Sequence, residues 1–231
     1  MLLLGIDTSG KTASAALFDT EKGVFLAQKT LYTQKTHSQV IMPICKEIIS
    51  QTEHEIADIE AIAVANGPGS YTGLRIGAAA VKAMCFALSC KCCGVSTLEG
   101  LACNNIAFRG IICAVMKARG ELVYVGIYRS SGNAVSSIHE EQIMERSCLS
   151  EILSDYGEEI LLCGDAACDF YNDFPSEKLS VAPQNGLIQN AAGICLAALN
   201  KEFTAPDELE VSYLQKVKAE KDLEEKSKPN Q

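Results

Sequence analysis

Apolar positions in the first thirty residues fall into short unbroken runs separated by polar turns, the pattern of buried strands. Leu2 to Ile6 forms one such run and ends at Asp7, and Thr12 to Phe18 forms a second. Asp19 to Gly23 reads as a turn, and Val24 to Tyr32 as a third strand, so two hairpins in succession are predicted. The period then changes. Val40, Ile44 and Ile48 lie four apart, as do Ile41, Cys45 and Ile49, which predicts an amphipathic helix over His37–Gln51. Thr36 or Ser38 is its candidate cap, and Pro43 should kink it. A buried strand is predicted over Ile59–Ala65, a sharp loop over Asn66–Ser70, a long helix over Tyr71–Leu88, a short strand over Cys92–Val95 and a helix over Thr97–Ala107.

A similar opening then recurs. Ile111–Met116 reads as a strand, Lys117–Gly120 as a turn, and Glu121–Tyr128 as a second strand. A strand near Val135–Ile143, a helix near Leu149–Tyr156, the strand Ile160–Cys163, a short helix past Asp165, a strand at Leu179–Val181 and a helix over Leu187–Leu199 follow. Two strand-rich openings suggest two lobes related by duplication, although the halves share little residue identity. The expected division is 1–103, 104–206 and a C-terminal helix with a charged tail over 207–231.

The chain has 231 residues and a net charge of −9, which disfavours autonomous binding to phosphate backbones. No signal-peptide pattern precedes Gly5, and no apolar run approaches the length of a membrane span, so a cytoplasmic location is expected. Eleven cysteines are scattered through apolar segments and read as small core residues of a reducing compartment. Cys90, Cys92 and Cys93, with Cys103 beyond, lack the paired spacing of a thiolate metal site.

Gly5-Ile6-Asp7-Thr8-Ser9-Gly10-Lys11-Thr12 matches the phosphate-loop pattern letter for letter. That loop needs a helix beginning at its Gly-Lys-Thr, so that helical amides meet the phosphates. Here a strand follows, and the buried strand Ile62–Ala65 ends on Asn66 rather than on a magnesium-binding aspartate. The match is set aside.

A second constellation is more specific. Asn66-Gly67-Pro68-Gly69-Ser70-Tyr71-Thr72-Gly73-Leu74-Arg75-Ile76-Gly77 combines turn residues with a helix cap. Thr36-His37-Ser38 with Ile41-Met42-Pro43, the string Val95–Ala102, and Val211-Ser212-Tyr213-Leu214-Gln215-Lys216 accompany it. Together with the Gly5–Ser9 hairpin, these segments resemble the TsaB (YeaZ) family. The resemblance covers nearly the whole chain and is strongest up to about residue 103. Lys117 stands where the family usually has an aspartate in a Met-Asp-Ala-Arg string.

The resemblance implies an α/β, actin-like ATPase fold of two related lobes. It implies a non-catalytic partner of a TsaD-like catalytic subunit, acting with a TsaE-like ATPase in threonylcarbamoyl modification of adenosine 37 in tRNAs that read ANN codons. Contact with tRNA would be indirect. In TsaD a His-x-x-x-His pair holds the metal; Thr97 and Leu101 occupy those positions here, and His37, His54 and His139 are far apart in sequence. No catalytic residue, metal or tightly bound cofactor is therefore expected, with ATP or ADP placed at most at the partner interface. A self-sufficient actin-like ATPase or small-molecule kinase is the alternative, and a metallopeptidase a remoter one.

Asp7, Thr8, Ser9, Gly67, Gly69, Ser70 and Arg75 are the nucleotide-proximal candidates. Asp7 can equally cap a turn, and the glycine loop can be a plain connection. The helix Tyr71–Leu88 is apolar over more of its circumference than one lobe should cover. Val40, Ile41, Ile44, Ile48, Gly73, Leu74, Gly77, Ala78 and Val81 are accordingly the candidate interface, with a TsaD-like partner or a second copy of this chain.

Overall fold

The computed structural model describes residues 1–33 and 35–214 and folds them into two five-stranded sheets. The first contains β1 (Leu2–Asp7), β2 (Thr12–Asp19), β3 (Val24–Tyr32), β4 (Ala61–Gly67) and β5 (Lys91–Ser96), in the order β3-β2-β1-β4-β5. The second contains β6 (Arg109–Lys117), β7 (Leu122–Ser131), β8 (Val135–Glu145), β9 (Ile160–Cys163) and β10 (Leu179–Val181), in the order β10-β9-β6-β7-β8. From its other end, the second order repeats the first: third, second, first, fourth and fifth strand. In both sheets the first three strands pair antiparallel and the last two join in parallel. The unbroken apolar runs of β1 and β4 suit central strands covered on both faces, whereas β3, at an edge, is largely half-exposed.

Five layers result. Helices α1 (His37–Ser50) and α2 (Tyr71–Leu88) cover the outer face of the first sheet, where Ile41, Ile44, Ile48 and Val81 meet Leu4, Ile6, Ile62 and Val64. Helices α4 (Arg146–Ser154) and α5 (Ala167–Asp173) cover the outer face of the second, through Leu149, Leu153 and Phe170. Between the sheets lie α3 (Thr97–Cys103) and α7 (Ala191–Ala198), with the short α6 (Gln184–Leu187) leading into α7. These two helices cross over. Leu98, Leu101 and Ala102 of α3 pack on Ile112, Ala114 and Met116 of the second sheet. Ala191, Ile194, Cys195 and Ala198 of α7 pack on Leu3, Ala16, Ala63 and Val95 of the first.

The crossing corrects the expected division of the chain. Residues 191–198 complete the first sheet rather than the second lobe, and α3 serves mainly the second sheet, so neither layer is contiguous in sequence at 103/104. The predicted helix Leu187–Leu199 is also broken. Ile188 and Asn190 are extended, and the Asn190 side chain caps α7 by accepting from the Ala192 N–H at 3.0 Å. β4 begins two residues later than expected because Ile56–Asp58 forms a 3-10 turn. A 3-10 turn at Pro206–Glu208 leads into an irregular strap over residues 209–214, and the predicted C-terminal helix and charged tail beyond it lie outside the described residues. The α1 helix runs on through Pro43, and Thr36, at its N-cap position, makes no side-chain cap bond. No described helix is long and apolar enough to cross a membrane.

Candidate functional site

The turn between β1 and β2 carries Asp7, Thr8 and Ser9 into the interior, where they are 1%, 0% and 1% exposed. The Ser9 N–H and hydroxyl both donate to Asp7 Oδ1, at 2.9 and 2.6 Å. Burial nonetheless pushes the Asp7 carboxyl above its usual range, because desolvation of the charge outweighs those two bonds and the nearby His37. Thr8 Oγ1 donates to the Gly73 carbonyl at 2.8 Å, and the Ser70 N–H donates to the Ser9 carbonyl at 2.7 Å. Ser70 also caps α2 by accepting from the Gly73 N–H at 3.2 Å. The hairpin, the glycine loop and the start of α2 thus form one hydrogen-bonded knot. Its tightness needs Gly73, since a Cβ there would lie 2.1 Å from the Thr8 carbonyl oxygen. His37, whose role the sequence did not reveal, closes the knot with Nε2 2.8 Å from the Gly10 carbonyl oxygen.

The nucleotide-proximal candidates therefore come together only in part. Asp7, Thr8 and Ser9 adjoin Gly69 and Ser70, but the three hairpin residues offer no surface to a ligand. Gly67 is buried under the strap: its φ is +132°, and a Cβ would lie 2.0 Å from the Ser212 carbonyl oxygen. The Ser212 N–H donates to the Asn66 carbonyl at 2.7 Å. Arg75 is engaged elsewhere, with its guanidinium 4.1 Å from the Tyr71 ring centre and its Nε donating to Tyr213 Oη at 3.1 Å. The strap was visible in sequence only as the Val-Ser-Tyr-Leu string, whose contacts lie far along the chain.

All nine candidate interface positions are buried within the chain itself. Val40, Ile41, Ile44 and Ile48 are 7%, 1%, 2% and 2% exposed, Leu74, Ala78 and Val81 are 0%, 8% and 0%, and Gly73 and Gly77 are also buried. These rows pack against the first sheet, and the small residues at Gly73 and Gly77 admit the β1–β2 hairpin rather than a second protein. The exposed face of α2 is the opposite one. Tyr71, Thr72, Arg75, Ala79, Ala83, Phe86 and Ala87 are exposed there, with Phe86 at 61%, and Met42 and Pro43 of α1 are exposed as well.

Beside the first hairpin a cavity of about 410 Å³ is lined by Lys11, Thr12, Tyr32, Asp165, Gln184 and Gln189, among others. It draws residues from both halves of the chain, and Thr12 Oγ1 bridges them by donating to the Gln189 carbonyl at 2.8 Å. Nearby, Lys117 of β6 donates its N–H to Asp165 at 2.8 Å and pairs through Nζ with Asp169 of α5 at 2.6 Å. The lysine at the family's usual aspartate position is thus held in an ion pair. A second cavity of about 410 Å³ between α4, α5 and β10 is lined by Leu153, Phe170, Phe174 and three serines, and its one lysine, Lys178, donates to the Tyr156 carbonyl at 3.2 Å. Thr97 and Leu101 are each 1% exposed inside α3. Among the described residues, no three His, Cys, Asp or Glu side chains meet as a metal-ligand group.

The family model described as TsaD, tRNA N6-adenosine threonylcarbamoyltransferase, matches residues 27–227. The chain is 32% identical over 164 residues to the tRNA threonylcarbamoyladenosine biosynthesis protein TsaB of Bacillus subtilis (strain 168), covering 71% of each chain. It is 27% identical over 168 residues to the TsaB protein of Escherichia coli (strain K12), again covering 71% of each. Among solved structures, YeaZ from Pseudomonas aeruginosa superposes with a TM-score of 0.80 at 21% identity, over 92% of this chain and 99% of that one. The ethanolamine utilization protein EutJ from Carboxydothermus hydrogenoformans superposes with a TM-score of 0.52 at 12% identity, over 85% and 90%. The two repeated sheets and their crossed central helices are those of the actin-like ATPase fold. The chain belongs to the TsaB family of tRNA threonylcarbamoyladenosine biosynthesis proteins, within the wider group that the TsaD model describes.

Proposed function

We propose that this chain is a non-catalytic partner subunit in threonylcarbamoyl modification of adenosine 37, in tRNAs reading ANN codons, and that it acts in the cytoplasm with a TsaD-like catalytic subunit and a TsaE-like ATPase. The observation that carries the reading is the outer face of α2. Ala79, Ala83, Phe86 and Ala87 are exposed on a helix whose other face is already sealed, and Met42 and Pro43 add to the same side of the lobe. Alanines four apart let another helix approach closely, and Phe86 supplies an aromatic anchor. A TsaD-like protein would complete a four-helix bundle there; a second copy of this chain would use the same face when the partner is missing. The acidic chain, at −9, leaves tRNA contact to its partners. Any nucleotide belongs at the joint surface rather than in the first hairpin, because Asp7, Thr8 and Ser9 are covered.

The test is affinity for the TsaD-like protein of the same cell after Ala83→Glu. An unpaired charge buried in a protein interface costs several kcal/mol, at least about a hundredfold in affinity. The expected result is that loss with an unchanged melting temperature; normal binding by a folded variant would remove α2 from the interface. The inter-lobe cavity beside Lys11 favours one second reading, a self-sufficient ATPase or kinase. Steady-state ATP turnover by the chain alone, abolished by Lys11→Ala, would establish it over the first.

A further inference from the structure

Three thiols converge where α2 ends. Ser89 turns the chain with a φ of +55°, and its N–H and that of Cys90 both donate to the Cys85 carbonyl, the latter at 3.2 Å. This turn folds Cys90 back over Cys85 and leaves their sulfurs 3.7 Å apart. A disulfide spans Cα–Cα separations of about 4.4–6.8 Å, and the bond from the Cys90 N–H to the Cys85 carbonyl brings the two backbones together. Cys92 lies in the same apolar cluster but is fully buried, as is Cys85 at 1%. Cys90 alone of the three is half-exposed. The arrangement has one thiol that an oxidant can reach and a second, sheltered thiol beside it.

We infer that Cys85 and Cys90 form an oxidative modification site, converted by a small two-electron oxidant of the peroxide class into an intramolecular disulfide that thiols reverse. The electrons balance in two steps. The Cys90 sulfur attacks one peroxide oxygen, the O–O bond breaks, and water leaves, so that Cys90 becomes a sulfenic acid. The Cys85 sulfur then attacks the Cys90 sulfur, the S–O bond breaks, a second water leaves with the remaining thiol proton, and the S–S bond forms. Two thiols are oxidised and one peroxide is reduced to two waters. Burial pushes the Cys85 thiol up, which makes it a poor first nucleophile. Its place in contact with Cys90 suits it to the second step, where proximity replaces intrinsic reactivity. The site lies on the last turn of α2 and does not depend on the partner assigned to that helix.

Trypsin provides a direct test, because Lys82 and Lys91 place Cys85 and Cys90 together on the peptide Ala83–Lys91 and Cys92 on the next one. The full chain is treated with hydrogen peroxide under native conditions, free thiols are alkylated in denaturant, and the digest is weighed. The expected peptide carries no alkyl group and is lighter than the reduced one by two hydrogens, and dithiothreitol before alkylation restores both alkylation sites. Cys92→Ser should leave this product intact, whereas Cys90→Ser should leave Cys85 alkylatable. Recovery of both cysteines as alkylated thiols while the exposed Cys148 and Cys168 are oxidised would overturn the inference. So would a cross-link from Cys85 to the Cys92 peptide, or Cys90 recovered as a sulfinic acid.

Discussion

Asp7 carries an ionisable group into a site with 1% exposure, and among the described residues the hydrogen-bond donors to it belong to Ser9. Its pKa is raised on folding, so the folded chain holds that proton more tightly than the unfolded one. The stability conferred is complete below the ordinary carboxylate value and is lost as pH rises through the folded value. Asp7→Asn keeps an acceptor for Ser9 and never ionises. Its melting temperature should therefore exceed the parent's near about pH 8, with the gap narrowing towards about pH 4; a gap independent of pH would contradict burial as the dominant cause. Gly73 makes a different demand. Alanine there gains about 1 kcal/mol in helix propensity. It also drives a Cβ to 2.1 Å from the Thr8 carbonyl oxygen, a backbone atom fixed by β1 and β2. Overpacking of this kind costs about 1–3 kcal/mol or more, and since neither backbone can yield, Gly73→Ala should be net destabilising in a denaturant titration. A stability gain would mean that the knot relaxes.

The helix α2 illustrates how one element can read as apolar on all sides while only one side is core. Its inner row, Leu74, Ala78, Val81 and Cys85, is at most 8% exposed. The outer row of alanines is apolar too, and nothing in the residue types separates the two. Truncation does. Leu74→Ala should cost roughly 2–5 kcal/mol of folding stability, because Leu74 is 0% exposed and packs beside Gly67 of β4, whereas Ala79→Ser should leave the melting curve almost unchanged. Equal effects from the two substitutions would mean that both faces are buried in the isolated chain. The strap acts on the same helix from outside, through the Arg75–Tyr213 bond and the Tyr71–Tyr213 ring contact at 5.3 Å.

The two halves are joined by more than a linker. Each gives its last described helix to the space between the sheets, and α7 closes the inner face of the first sheet from almost the far end of the chain. A fragment containing residues 1–103 would expose Leu3, Ala63, Ala65 and Val95 on that face and lose the Ser14 hydroxyl bond to the Ala191 N–H at 3.0 Å. It should lack a cooperative thermal transition and should aggregate, while the chain as far as Leu214 melts as one unit. A soluble, cooperatively folded 1–103 fragment would show instead that the first lobe stands alone.

Strand and helix identities were largely legible in the sequence because they depend on local periodicity. The bounds of β3, α2, β9 and β10 match their predicted spans, and the glycine loop announced a tight turn before α2. The family, too, was written in that loop and its neighbours. Side-chain partners were not legible, because contact depends on residues distant in sequence. Gly73 could be seen as a place of close approach, but only the fold decides that the approaching group is Thr8, 65 residues away, rather than another protein. The rows of α1 and α2 showed that they must be buried but not against what, since burial on a sheet and burial on a partner impose the same periodicity. The crossing of α3 and α7 leaves no local trace at all, because a short apolar helix fits either sheet until the chain between them sets which one it can reach.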